Sequence, residues 1–90
     1  MFFKKSKNRL ERYREALTYL DRCVTFNEAS FREFNRIAGN IFSDEDITHH
    51  IWSAGRMFGG MESIRELLRS TIVEGITTFE NLQRQGIDIP

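Results

Sequence analysis

The segment Met61–Gln85, MESIRELLRSTIVEGITTFENLQRQ, decides the fold because it carries the longest unbroken helical pattern in the chain. At about 100° per residue, Ile64, Leu68, Ile72, Gly75, Phe79 and Leu82 fall in one sector about 80° wide, with Met61 and Leu67 alongside. One apolar stripe therefore stays in phase for about six turns. A helix of about 25 residues spans roughly 37 Å, the length of a small domain, so shorter helices or a second copy must lie along it. Thr77-Thr78-Phe79-Glu80 offers an alternative, a capping box opening a separate fifth helix after Gly75. The unbroken phase favours one continuous helix, stopped by Gly86 and followed by a short tail over 87–90.

Upstream of this segment, Gly59-Gly60 marks a hinge, and the helix before it opens at Ser43-Asp44-Glu45-Asp46. There a serine N-cap is followed by three acids, where the first-turn N–H groups and the helix dipole favour negative charge. Ile47, Ile51, Ala54 and Phe58 form its apolar stripe. Before it, Thr25-Phe26-Asn27-Glu28 reads as a capping box, which predicts a second helix from Phe26 to about Ala38. Phe31, Phe34, Ile37, Ala38 and Ile41 share its apolar side; Arg32, Glu33, Asn35 and Arg36 share the other; and Gly39-Asn40 tolerates the left-handed turn that ends a helix. The first helix is predicted from about Lys7 to Val24, with Leu10, Tyr13, Leu17, Leu20 and Val24 as a narrow seam. Its junction with the second is so short that the two form an antiparallel hairpin.

Ninety residues with 40% hydrophobic and 29% charged side chains have an ordinary globular balance, enough to remove roughly 60–65% of the unfolded chain's surface from water in one domain. A single proline at the last position and few β-branched runs point away from sheet. The expected fold is all-α: a small four-helix bundle, five-helix if the last helix breaks at Gly75, with an N-terminal helical hairpin and a long C-terminal helix. Residues 1–90 make one domain, with 1–6 as a basic arm. The lone Cys23 cannot form an intrachain disulfide, and no apolar segment has the length of a membrane span or signal peptide, so a reducing cytoplasm fits.

The net charge is zero but unevenly spread. Residues 1–14 hold Lys4, Lys5, Lys7, Arg9, Arg12 and Arg14 against Glu11 alone, a balance of +5 that leaves −5 for residues 15–90. Lys7 and Arg9 lie where the dipole of the first helix prefers acids, so local helix stability does not explain them. With Phe2, Phe3 and Tyr13 interleaved as stacking groups, the run could contact nucleic acid, an anionic membrane surface or an acidic protein groove; its plain alternative is a solvated terminus. Against helix-turn-helix readout of DNA stand Asp44, Glu45 and Asp46, which would meet phosphates at the start of the candidate recognition helix.

No residue pattern defines an enzyme. Asp46 and His50 share a helix face at metal-sharing spacing with His49 adjacent, but no further ligand stands at a recognisable spacing. Cys23 borders the apolar seam and lacks an electropositive setting, and Gly59-Gly60 lacks the strand and Lys-Ser/Thr of a phosphate loop. We therefore expect no catalytic, cofactor or metal residues. The opposite face of the third helix is more informative. With Ile47 at 0°, Trp52 lies at about 140°, Glu45 at about 160°, Arg56 at about 180° and His49 at about 200°, all away from the apolar stripe. Either Trp52 fills a second wall of the core or a homodimer seam, or these four residues bind a partner, since Trp and Arg dominate interface energetics.

In size and class alone, the chain is similar to the compact, cofactor-free helical proteins of phages and mobile elements that bind and regulate or block a larger partner. The sequence reading is thus a non-enzymatic, cytoplasmic protein-binding module, regulatory or inhibitory, expected to form a homodimer. The alternative is a nucleic-acid-binding accessory protein that uses the basic arm, and a third reading is a purely structural homo-oligomeric subunit.

Overall fold

The computed structural model describes residues 7–90. They fold into α1 (Arg9–Arg22), α2 (Glu28–Ala38), α3 (Asp44–Ala54) and α4 (Met61–Arg84), with no strand among the described residues. The long segment is one helix, unbroken at Gly75. Thr77 and Thr78 do not cap a fifth helix; their hydroxyls donate back to the carbonyls of Val73 and Glu74, each at 3.0 Å, as they do inside a helix.

Each helix end follows from local chemistry. The Asn8 side chain caps α1 by accepting from the Glu11 N–H at 2.9 Å. The helix stops at Arg22, since Cys23 adopts an extended conformation. Val24 leaves the helical phase and is exposed, so the predicted seam closes at Leu20. α2 starts two residues later than the sequence suggests, and Thr25 does not cap it. The Asn27 carboxamide accepts from the Ser30 N–H at 3.0 Å, and Thr25 contributes only its carbonyl, which accepts from the Ser30 hydroxyl at 3.2 Å. Phe26 stands just before the cap and stacks on Phe31, with centroids 6.1 Å apart, a hydrophobic staple that fixes the entry angle.

At the other end of α2, Gly39 (φ 98°) and Asn40 (φ 57°) are left-handed. The Asn40 N–H reaches the Asn35 carbonyl at 2.7 Å and the Gly39 N–H reaches that of Arg36 at 3.2 Å, the paired bonds of a Schellman turn. Ser43 caps α3 as expected, accepting from the Asp46 N–H at 3.1 Å. Asn35, expected on the solvent face of α2, is instead buried and clamps the α2–α3 link. Its amide nitrogen donates to the Phe42 carbonyl at 3.0 Å, and its oxygen accepts from the Phe42 N–H at 2.8 Å. Ile41, just past the helix, is exposed rather than part of the α2 stripe.

α1 is the central element, packed on both α2 and α4, and α3 closes against α4 and α2. Arg12 near the start of α1 lies beside Gly39 at the end of α2, so the two run antiparallel as the short junction requires. α1 and α4 are also antiparallel, with ion pairs Arg14–Glu80 and Asp21–Arg69 at 2.9 Å each. Both pairs are half-exposed and favour register more than stability. The core joins Ala16 and Leu20 of α1, Phe26, Phe31, Phe34 and Ala38 around α2, Ile47 and Ala54 of α3, and Ile64, Leu68 and Ile72 of α4. The α4 stripe thus faces its own chain.

Arg65 of α4 performs a task its sequence position does not announce. Only 17% exposed, its guanidinium Nη2 donates to the carbonyls of Leu20 and Cys23, each at 2.7 Å. These carbonyls lie at the C-terminus of α1, where Leu20 otherwise has only the long 3.3 Å bond from the Cys23 N–H, and a cation there also complements the dipole.

Candidate protein-interaction surface

α3 brings His49, Trp52 and Arg56 together on its outer face. Trp52 is 57% exposed and does not fill a second wall of the core. The Arg56 guanidinium carbon stands 4.1 Å from the centroid of the Trp52 ring, a cation–π contact, and the His49 ring is stacked with Trp52 at 6.3 Å and 28°. Arg56 lies two residues beyond the end of α3, yet it holds this position because the chain continues in tight turns. The Arg56 N–H bonds the Ser53 carbonyl at 2.9 Å and the Met57 N–H bonds that of Ala54 at 3.3 Å. Glu45 is exposed about two turns before Trp52 and has no ion pair among the described residues.

The loop after α3 exposes more apolar side chains than periodicity suggested. Phe58, expected in the apolar stripe of α3, is fully exposed, and Met57 is 44% exposed. The helix ends at Ala54, and Gly59 (φ 90°) and Gly60 (φ 56°) redirect the chain, so a phase counted from Ile47 no longer applies at position 58. The loop is built to hold this shape. The Ser63 hydroxyl donates to the Phe58 carbonyl at 2.6 Å, and a Cβ at Gly59 would stand 2.5 Å from that hydroxyl oxygen. A conformation open only to glycine therefore presents the Phe58 ring to solvent, six residues along the chain from a tryptophan flanked by His49 and Arg56. The signal in the sequence was the three glycines bracketing Arg56-Met57-Phe58.

The other candidate residues separate. His50 points inward: its ring packs edge-on against Phe31 and Phe42 at 5.9 and 5.7 Å, and Nδ1 lies 2.7 Å from the Asp46 carbonyl. A carbonyl only accepts, so Nδ1 carries the proton. Cys23 is a free, half-buried thiol beside Tyr19. Burial first, and then Cys23, raise the Tyr19 hydroxyl above its ordinary pKa.

Of the basic residues, Lys4 and Lys5, with Phe2 and Phe3, lie outside the described residues. Lys7 pairs with Glu15. Arg9 and Arg12 make no ion pair among the described residues and line a groove between the start of α1 and the end of α2. Among the described residues, no helix is long and apolar enough to cross a membrane, and no three His, Cys, Asp or Glu side chains converge as a metal site would require.

Comparison with family models, with curated proteins and with solved structures finds no match to this chain.

Proposed function

We propose that this protein is a small non-enzymatic binding module that docks on a larger protein through Trp52, Arg56, Met57 and Phe58, and thereby regulates or inhibits it. The observation that carries this reading is the fully exposed Phe58 on a loop locked by Gly59 and Ser63. Exposing a phenyl ring forgoes about 1.5–3 kcal/mol of burial, and locking it in place lowers the entropy lost when a partner covers it. Trp52 and Arg56, exposed in the same stretch of chain, are the residue types that concentrate binding energy. The partner this surface fits has an apolar cleft rimmed by carboxylates, which would receive the two rings and pair with Arg56 and His49. An unpaired thiol is in keeping with work in a reducing cytoplasm.

The test is capture by the tagged wild type and by a Trp52→Ala/Phe58→Ser variant from the native host, with melting curves showing that both are folded. A partner retained by the wild type and lost by the folded double variant supports the reading; equal recovery sinks it. The same apolar face gives the protein a route to a homodimer, with Phe58 of each copy against Trp52 of the other. The α4 stripe offers less support for pairing than its length suggested, since Ile64, Leu68 and Ile72 are buried within one chain.

A further inference from the structure

At the opposite end of α1 from Arg65 lies a groove of about 720 Å³, walled by the N-terminal part of α1 and the C-terminal turn of α2. Lys7, Arg9 and Arg12 line it on the α1 side and Asn40 on the α2 side, and no Asp or Glu side chain lines it. The guanidiniums of Arg9 and Arg12 donate to no acceptor among the described residues. Arg12 can lie along the α2 terminus because position 39 has no side chain: a Cβ there would stand 3.0 Å from Arg12 Nη1. The left-handed Gly39 therefore both ends α2 and leaves room for the guanidinium. Pro90 folds back to the mouth of the groove, where an oxygen of its carboxylate accepts from the Arg9 N–H at 2.9 Å, so an incoming anion would share the mouth with this group. That bond occupies the first backbone donor of α1 but leaves the side chains of Arg9 and Arg12 available.

We infer that this groove binds a compact anion carrying two or more adjacent phosphate groups. Its volume lies within the roughly 300–1,000 Å³ of small-molecule sites. Two unpaired guanidiniums offer planar forks of donors matched to phosphate oxygens, and the Asn40 amide adds a neutral donor across from them. A nucleic-acid strand is the less suitable occupant. Tracking a backbone requires a succession of cations, whereas Lys7 is paired with Glu15 and the body beyond residue 14 carries net negative charge that would repel a long polyanion.

The experiment titrates the full chain with inorganic pyrophosphate at about 0.15 M salt, following backbone amide shifts by NMR and affinity by calorimetry, with a single-stranded oligonucleotide as a second arm. Saturable shifts at Gly39 and Asn40 are expected. Affinity should fall at least tenfold in Arg9→Gln/Arg12→Gln, and also in Asn40→Asp, which places a carboxylate in the wall while keeping a residue that tolerates the left-handed turn. Melting temperatures of the unliganded variants close to wild type show that the fold is kept. No binding of pyrophosphate at millimolar concentration overturns the inference, as does binding that the folded variants leave unchanged. Oligonucleotide binding that pyrophosphate does not displace, with a steep salt dependence, also overturns it in favour of a strand.

Discussion

Tyr13 of α1 presses on the backbone of Gly75 of α4 so closely that a Cβ at position 75 would stand 2.6 Å from its Cε2 and 2.8 Å from its Cδ2. The ring is also edge-on to Phe79, one turn further along α4, at a centroid distance of 5.1 Å. It therefore cannot move off Gly75 without disturbing a second contact. Periodicity placed a glycine in the apolar stripe, and Tyr13 is the reason a glycine is needed there. Gly75→Leu should destabilise the fold by about 1–3 kcal/mol. Even Gly75→Ala should be unfavourable in the wild type, because the displaced ring outweighs the roughly 1 kcal/mol of helix propensity that alanine gains. On a Tyr13→Ala background the same Gly75→Ala change should become stabilising, a reversal of sign that chemical denaturation of the four variants would detect. The account fails if Gly75→Ala stabilises the protein with Tyr13 in place.

Arg65 should rank among the most sensitive polar positions. Its two bonds to the carbonyls of Leu20 and Cys23 come from one largely buried guanidinium, and hydrogen bonds to charged groups contribute about 1.5–3 kcal/mol. Arg65→Met should cost about 2 kcal/mol or more. Lysine should restore only part of the loss, since one flexible ammonium does not reproduce the planar fork. Urea titrations giving Arg65→Met the stability of the wild type would refute the capping role.

The start of α2 separates two readings of one tetrapeptide. If Asn27 is the cap, Asn27→Ala should cost about 1 kcal/mol, and Thr25→Ala, which removes a hydroxyl without touching the Thr25 carbonyl, should stay within about 0.5 kcal/mol. The opposite order of effects would restore Thr25 as the cap.

The raised pKa of the Tyr19 hydroxyl has a definite sign in stability. Folding favours the neutral phenol, so this contribution is fully present below the ordinary tyrosine value of about 10 and is lost as pH rises through the higher folded value. The stability difference between wild type and Tyr19→Phe should therefore shift against the wild type above about pH 10 and stay constant between about pH 7 and 9. A difference that is flat through alkaline pH would contradict the partly desolvated setting of the hydroxyl.

Much of this architecture was legible because it depends on near neighbours. The four helices follow from apolar spacing, the cap at Ser43 from a serine before three acids, and the end of α2 from Gly39-Asn40. What escaped the sequence depends on groups far apart in the chain or on broken periodicity. Arg65 reads as one more surface cation until the end of α1 is brought beside it, and Asn35 reads as solvent-facing until the α2–α3 link turns back on its amide. At the candidate surface, Trp52, His49 and Arg56 were legible as one side of α3. Phe58 was not, because extending the α3 phase past Gly55 assigns it to the core. The tetrapeptide Thr25-Phe26-Asn27-Glu28 reads as a capping box on Thr25, and the burial of Phe26 against Phe31 moves the cap to Asn27.

Self-association is the remaining prediction from the exposed face, and its signature would separate it from partner binding. Two copies joined about a two-fold axis place Phe58 of each against Trp52 of the other, so a single change acts twice in the dimer. Stable dimers bury about 1,200–2,000 Å² in total, and the melting temperature of an obligate dimer rises with protein concentration. We expect that rise across the micromolar range for the wild type, and its disappearance in Phe58→Ser with the monomer still folded. Phe58 contributes nothing to the core of one chain, so its replacement should leave monomer stability within about 0.5 kcal/mol of wild type. A melting temperature independent of concentration, with light scattering giving the mass of one chain, would rule out the dimer and leave the Trp52–Phe58 face to a different protein. A concentration dependence that persists in Phe58→Ser would instead place the seam elsewhere, with the exposed Leu67 and Val73 of α4 as the next positions to change.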